Sequence, residues 1–176
     1  MQPLNCNIPK SNNFPHCEDS NTKRSKVICM GRYIPVSSNR TLHITFTGSK
    51  GGKGVTVQQI GQAFRAWEQA FIRESGFHPS RLSLWAVCLT QPETHIHAIA
   101  TSARDRRTGK DITRLDGSAY RNLEGVWRDL MGKDASVKLT RVYDAKGIAD
   151  YIMGPHNLGR TGQLSVELPS TLTGYN

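Results

Sequence analysis

No run of apolar residues in this 176-residue chain approaches the roughly 18 that a membrane-spanning helix needs. The opening stretch, MQPLNCNIPKSNN, lacks the apolar core of a signal peptide, so a cytoplasmic location without membrane attachment is expected. Cysteine is sparse: Cys6, Cys17, Cys29 and Cys88 include no CxxC pair, which excludes a zinc knuckle. A reducing compartment also argues against disulfides. Acidic residues are few, 14 Asp and Glu against 23 Lys and Arg, leaving a net charge of +9. Such a balance predicts a polyanionic partner, nucleic acid before any other. The length suits one domain with tails and a sizeable core.

What is present is organised around WAVCLTQPETHIHAIAT, Trp85 to Thr101. It reads as two strands joined by a tight turn. Residues two apart on a strand share a face, so His95 and His97 project together, close enough for both imidazoles to reach one metal ion. A turn at Pro92 and Glu93 would pair Thr90 with His95, Leu89 with Ile96 and Cys88 with His97. On that register Cys88, Thr90, His95 and His97 share one face.

Upstream, residues 1–36 read as a basic, largely flexible arm with a cluster at Lys23, Arg24 and Lys26, and one short strand near its end. TLHITFT, Thr41 to Thr47, alternates cleanly: Leu42, Ile44 and Phe46 face one way, His43, Thr45 and Thr47 the other. The polar side could meet nucleic acid, or be a half-exposed strand. GSKGGKGVT, Gly48 to Thr56, resembles a Walker A loop of the ParA-like kind, yet Val55 stands where the catalytic lysine belongs and no later strand ends in a Walker B aspartate. A P-loop ATPase is therefore the weaker reading. A flexible basic loop carrying Lys50 and Lys53 to a DNA backbone fits better.

Val57, Ile60, Phe64, Trp67 and Phe71 predict an amphipathic helix over 56–74. After the histidine strand comes a charged loop with Arg104, Arg106, Arg107 and Lys110, placed to meet a single strand entering that face. A second helix is expected over 118–131, with Tyr120, Leu123, Trp127 and Leu130 buried. A strand follows over 136–143, then a short helix over 145–153, then a C-terminal tail, 159–176, with room for a last strand at 163–168.

Three segments in this order carry a resemblance to the HUH endonuclease superfamily, in particular the rolling-circle replication initiators of plasmids and single-stranded DNA phages. HITFT, His43 to Thr47, is similar to the family's first motif. HIHAIA, His95 to Ala100, matches its His-apolar-His motif. VYDAKGIADYI, Val142 to Ile152, resembles the segment in which an acidic turn and a glycine precede the nucleophilic tyrosine. The likeness covers about residues 40 to 158, within a nuclease-like domain at 37–158. It implies an α+β fold, a central antiparallel sheet of four to five strands with helices mainly on the face opposite the histidines. It also implies His95 and His97 as ligands of a divalent ion, Mn²⁺ or Mg²⁺, with Glu93 as third ligand. Tyr151 is the implied nucleophile, with Tyr143, in a YDAK run, as alternative. The lysine that many relatives carry three residues after the tyrosine is Gly154 here, so Lys146, His156 or Arg160 would stand in. The implied activity is nicking and rejoining of single-stranded or hairpin origin DNA, with host replication proteins as partners. A relaxase or transposase would share that chemistry, and a plain nucleic-acid-binding module would share the charge.

Overall fold

The computed structural model describes residues 24–29, 32–37, 40–90, 93–103, 109, 111–144, 147–148, 165–168 and 170–172. Seven strands and two α-helices account for most of them: β1 Arg24–Cys29, β2 Arg32–Ser37, β3 Thr41–Thr47, α1 Val57–Ser75, β4 Leu82–Leu89, β5 His95–Ser102, α2 Gly117–Met131, β6 Ser136–Arg141 and β7 Ser165–Leu168. β1 and β2 form an antiparallel hairpin, Cys29 facing Arg32. The remaining strands make one sheet in the order β6-β3-β5-β4-β7, antiparallel throughout. From β3 to β6 the chain runs strand, helix, two strands, helix, strand, the split βαβ arrangement. β3 and β5 are therefore central, which puts His43 and His97 in the middle of the sheet.

Alternation decides which face is which. Leu42, Ile44 and Phe46 of β3, Ile96, Ala98 and Ala100 of β5, and Leu84, Ala86 and Cys88 of β4 lie in one buried layer with Ile60, Phe64, Trp67 and Phe71 of α1 and Leu123 and Trp127 of α2. Phe46 is the centre of this layer, edge-on to Trp67 at 4.7 Å and to Trp127 at 4.8 Å between centroids. Both of these tryptophan N–H groups find a backbone carbonyl, Trp67 at Leu123 (3.1 Å) and Trp127 at Thr47 (2.9 Å). Buried aromatic area of this kind stabilises by roughly 2–3 kcal/mol per side chain. Among the described residues, α1 and α2 both cover the same side of the sheet, and the histidines lie on the other.

The first helix begins where its capping box dictates. Thr56 Oγ1 accepts from the Gln59 N–H at 3.2 Å while Gln59 Oε1 accepts from the Thr56 N–H at 2.9 Å. It ends at Gly76, left-handed at φ 63°. The second helix is capped by Asp116, whose carboxylate accepts from the Ser118 and Ala119 N–H groups. Those bonds hold the Asp116 carboxyl below its ordinary range, the Ser118 hydroxyl contributing most. Among the described residues, no helix is long and apolar enough to cross a membrane.

Three expectations are corrected. The β4–β5 register is Leu89 to His95, Cys88 to Ile96 and Val87 to His97, one residue away from that predicted from a turn at Pro92 and Glu93. A one-residue slip exchanges the faces, so Cys88 lies in the helix-covered core, fully buried, and not beside the histidines. Burial pushes its thiol up to about 11. Second, the single strand expected near the end of the arm is a two-stranded hairpin. Third, Leu130, assigned to the buried stripe of α2, is 42% exposed. The last strand, expected at 163–168, is present as β7. β7 pairs with β4, and the buried Glu68 of α1 accepts from the Ser170 hydroxyl, the Thr171 N–H (3.1 Å) and the Thr171 hydroxyl (3.1 Å). Leu172 is buried beyond that clasp, and its carbonyl accepts from the Leu84 N–H at 3.0 Å.

Candidate functional site

The face opposite α1 and α2 is built in rows across the strands. Ser136, Thr47, His95 and Leu89 form one row, Lys138, Thr45, His97 and Val87 the next, and Thr140, His43, Ile99 and Trp85 the third. One half, on β4 and β5, is apolar and closed to solvent: Trp85, Val87, Leu89 and Ile99 are all buried. The half on β3 and β6 is polar, with His43, Thr45 and Thr47 half-buried and Lys138 exposed. The histidines mark the seam between the two.

His97 is 2% exposed. Its Nδ1 lies 3.1 Å from His43 Nε2, a hydrogen bond in which one ring donates and the other accepts. The two rings are stacked, 5.2 Å between centroids and 23° apart. His95 stands edge-on to His97 at 5.0 Å. A carbonyl can only accept, so the 2.6 Å contact between His95 Nδ1 and the Glu93 carbonyl places a proton on Nδ1. In the neutral ring Nε2 then carries the lone pair.

Burial disfavours the charged form of the inner two rings. It lowers His97 to about 3, with the neighbouring His43 and His95 adding to the effect, and lowers His43 to about 4, with the Lys138 ammonium adding to it. Both are therefore neutral at pH 7, as a metal ligand must be. These shifts carry a stability consequence. A folded pKa below the unfolded value of about 6.5 leaves stability intact above that pH and removes it as the pH falls, because the unfolded chain takes up protons that the native rings refuse. With chelator present, the two rings together are expected to cost about 3–4 kcal/mol between pH 7 and pH 5. His43→Gln should roughly halve that loss. Urea denaturation midpoints at the two pH values measure it, and equal midpoints would contradict neutral buried rings.

The residues singled out in the sequence fall into three groups. His43, Thr45, Thr47, His95 and His97 share the outer face. Lys50 and Lys53 are exposed on the loop that leaves β3, and Tyr143 is 71% exposed just beyond β6, with the Arg141 guanidinium 5.5 Å above its ring. Tyr151, Lys146, Arg104, Arg106, Arg107 and Lys110 lie outside the described residues. The turn leading toward Tyr151 is described: the Asp144 carboxylate accepts from the Gly147 N–H at 2.9 Å, and its carbonyl from the Ile148 N–H at 3.2 Å. Gly147 and Ile148 are helical; the rest of the helix expected over 145–153 lies outside the described residues.

Two features went unread in the sequence. His43 was assigned to DNA contact alone, but it belongs to the imidazole cluster. Once β3 is set antiparallel beside β5, Thr45 faces His97 and His43 is its diagonal neighbour. Lys138 and Ser136 join the face from β6, Ser136 through a 2.7 Å bond between its hydroxyl and that of Thr47.

The donor chemistry suits a divalent ion in part. Two adjacent imidazoles, one with its ring orientation set by a backbone carbonyl, are what such an ion needs from nitrogen ligands. Glu93 is half-buried immediately ahead of β5. Among the described residues, no group of three or more His, Cys, Asp or Glu side chains is placed to hold a metal. Comparison of the chain with protein-family models, curated proteins and solved structures finds no match.

Proposed function

We propose that the chain is a tyrosine endonuclease that nicks and rejoins single-stranded DNA at a replication origin. The observation that carries this reading is the placement of His95 and His97 side by side on the central strand of an antiparallel sheet, on the face opposite α1 and α2. The net charge of +9 and the motif likeness of Val142 to Ile152 support it. A relaxase or a transposase, acting in transfer or transposition, has the same chemistry and is the alternative.

His95 and His97, with Glu93 or other oxygens, would hold Mn²⁺ or Mg²⁺, which supplies charge neutralisation at the scissile phosphate when bound. The protein does the rest. The Tyr151 hydroxyl loses its proton to a base, and Tyr143 is the alternative nucleophile. With a pKa near 10 the phenol needs that help. Its oxygen bonds to phosphorus as the bond from phosphorus to the 3′ oxygen breaks. The 3′ oxygen takes up a proton and leaves as a hydroxyl, while the 5′ phosphate stays on the tyrosine. No bond energy is lost to water, so the step reverses to rejoin the strand. Lys146 is placed in sequence to balance the charge on the departing oxygen. Thr45 and Thr47 offer hydroxyls, and Lys50, Lys53, Arg104, Arg106, Arg107 and Lys110 offer cations, to the backbone phosphates.

Incubation with Mn²⁺ and a randomised pool of hairpin-bearing single-stranded DNA is expected to give a covalent adduct on a denaturing gel. Tyr151→Phe should abolish it and Tyr143→Phe should not. An adduct that survives Tyr151→Phe and disappears in Tyr143→Phe moves the nucleophile one segment back. A second reading, a nucleic-acid-binding module without catalysis, is favoured by the depth of His97 and its bond to His43, a pairing that could serve only to tie β3 to β5. Binding indifferent to chelator and no adduct from any strand would select it.

A further inference from the structure

A cavity of about 510 Å³ opens between the loop after β3, the first turns of α1 and the end of α2. Its volume lies within the ~300–1,000 Å³ of small-molecule sites. Resting on the nuclease reading, we propose that it is a pocket for one nucleotide unit, with the phosphate at Lys50 and Lys53, the base against Leu130 and Met131, and the base edge at Gln62.

Position is the first argument. The loop is fastened to the residue before His95: the Thr94 hydroxyl donates to the Val55 carbonyl at 2.7 Å, and Gly52 is packed against the Thr94 carbonyl. β3 enters this loop directly from Thr47, which faces His95. A strand crossing the histidine face and leaving past that row would run toward this loop and the cavity beside it.

Chemistry is the second. Lys50 and Lys53 are exposed and make no ion pair with any described residue, and none of the described residues lining the cavity is Asp or Glu. Lys50 sits at φ 54°, the one described residue other than glycine at positive φ. That conformation costs about 1–2 kcal/mol for a residue with a side chain, so a lysine there spends stability to keep a charge at the rim. Leu130 projects 42% exposed into the same space, and Met131 flanks it. A cationic rim over an apolar shelf matches a phosphate joined to a base. The amide of Gln62 is exposed on the wall and has the donor and acceptor that pair with an adenine edge. Gln59 has only its NH₂ to offer, because its oxygen is held by Thr56.

The same chemistry could come from a free nucleotide or from a strand, and binding by fluorescence anisotropy distinguishes them. The probes are a labelled adenine-containing 12-mer single strand and, as competitors, dAMP and ATP, all in EDTA so that binding is read without cleavage. The variant Lys50→Gly with Lys53→Gln keeps the backbone easy to form and is expected to weaken 12-mer binding about tenfold. It should also reduce the slope of log K against log salt by about one to two. Leu130→Ala, at an exposed position, is expected to weaken it about three- to tenfold with the slope unchanged. Affinity unchanged in both variants overturns the pocket, whether or not the wild type forms an adduct. Weakened binding in a protein that forms no adduct keeps the pocket and removes the nuclease. Tighter binding of dAMP or ATP than of the 12-mer overturns the strand as its source.

Discussion

His95→Ala is expected to lower Mn²⁺-dependent adduct formation by about 10³-fold while leaving the urea midpoint at pH 7 close to that of the wild type. The size follows from what charge withdrawal at a phosphate contributes, several kcal/mol of transition-state stabilisation. The selectivity follows from the position of the ring. His95 is half-buried at the seam of the face, and its hydrogen bond is to the carbonyl of Glu93, which solvent can satisfy when the ring is gone. His97 is the less clean probe. It is buried, stacked on His43 and bonded to it, so His97→Ala would remove adduct formation and also about 1–3 kcal/mol of stability by stranding the His43 nitrogen. Gel quantification of the adduct beside a denaturation curve separates the two effects. If His95→Ala forms adduct at the wild-type rate, the pair is structural and the binding-module reading stands in its place.

The elements were legible in the sequence because each rests on local information. The capping box at Thr56 and Gln59, the stripe from Ile60 to Phe71 and the alternation of Thr41 to Thr47 specify their structures within a few residues. The face shared by His95 and His97 needed only the period of a strand. The register of β4 against β5 depends on the length of the connection, and counting Pro92 and Glu93 as a two-residue turn shifted the pairing by one. The hydrophobic pattern could not correct it, since β4 is buried on both faces: Leu84, Ala86 and Cys88 on one, Trp85, Val87 and Leu89 on the other. A strand with no polar side offers no signal of direction. His43 was unreadable as a partner of His97 for a related reason, because 54 residues separate them and only strand order brings them together. The clasp of Glu68 on Ser170 and Thr171 joins positions about a hundred residues apart, without any local pattern to announce it.

Gly52→Ala is expected to destabilise the fold by about 3 kcal/mol or more, whereas Gly51→Ala and Gly54→Ala, two neighbours in the same loop, should each cost only about 1–2 kcal/mol. All three glycines have positive φ, 72°, 92° and 77° in chain order, so all three share the left-handed penalty. They differ in what a methyl group would meet. Nothing lies within 4 Å of a Cβ at Gly51 or Gly54, but at Gly52 it would drive into the Thr94 carbonyl oxygen, with the Thr94 carbonyl carbon at 3.1 Å and nitrogen at 3.3 Å behind it. Those are backbone atoms at the start of β5 and cannot rotate aside, so the loop itself has to lift. Lifting it breaks the bond from the Thr94 hydroxyl to Val55 and moves Lys50 and Lys53 away from the end of the histidine face. The loop read from sequence as flexible is thus a seated one, and Gly52 serves close approach to the Thr94 backbone. Chemical denaturation of the three variants at pH 7 tests this directly. Equal losses at all three positions would mean that the loop rides free of Thr94, and with it the link between the basic rim and the histidines would be gone.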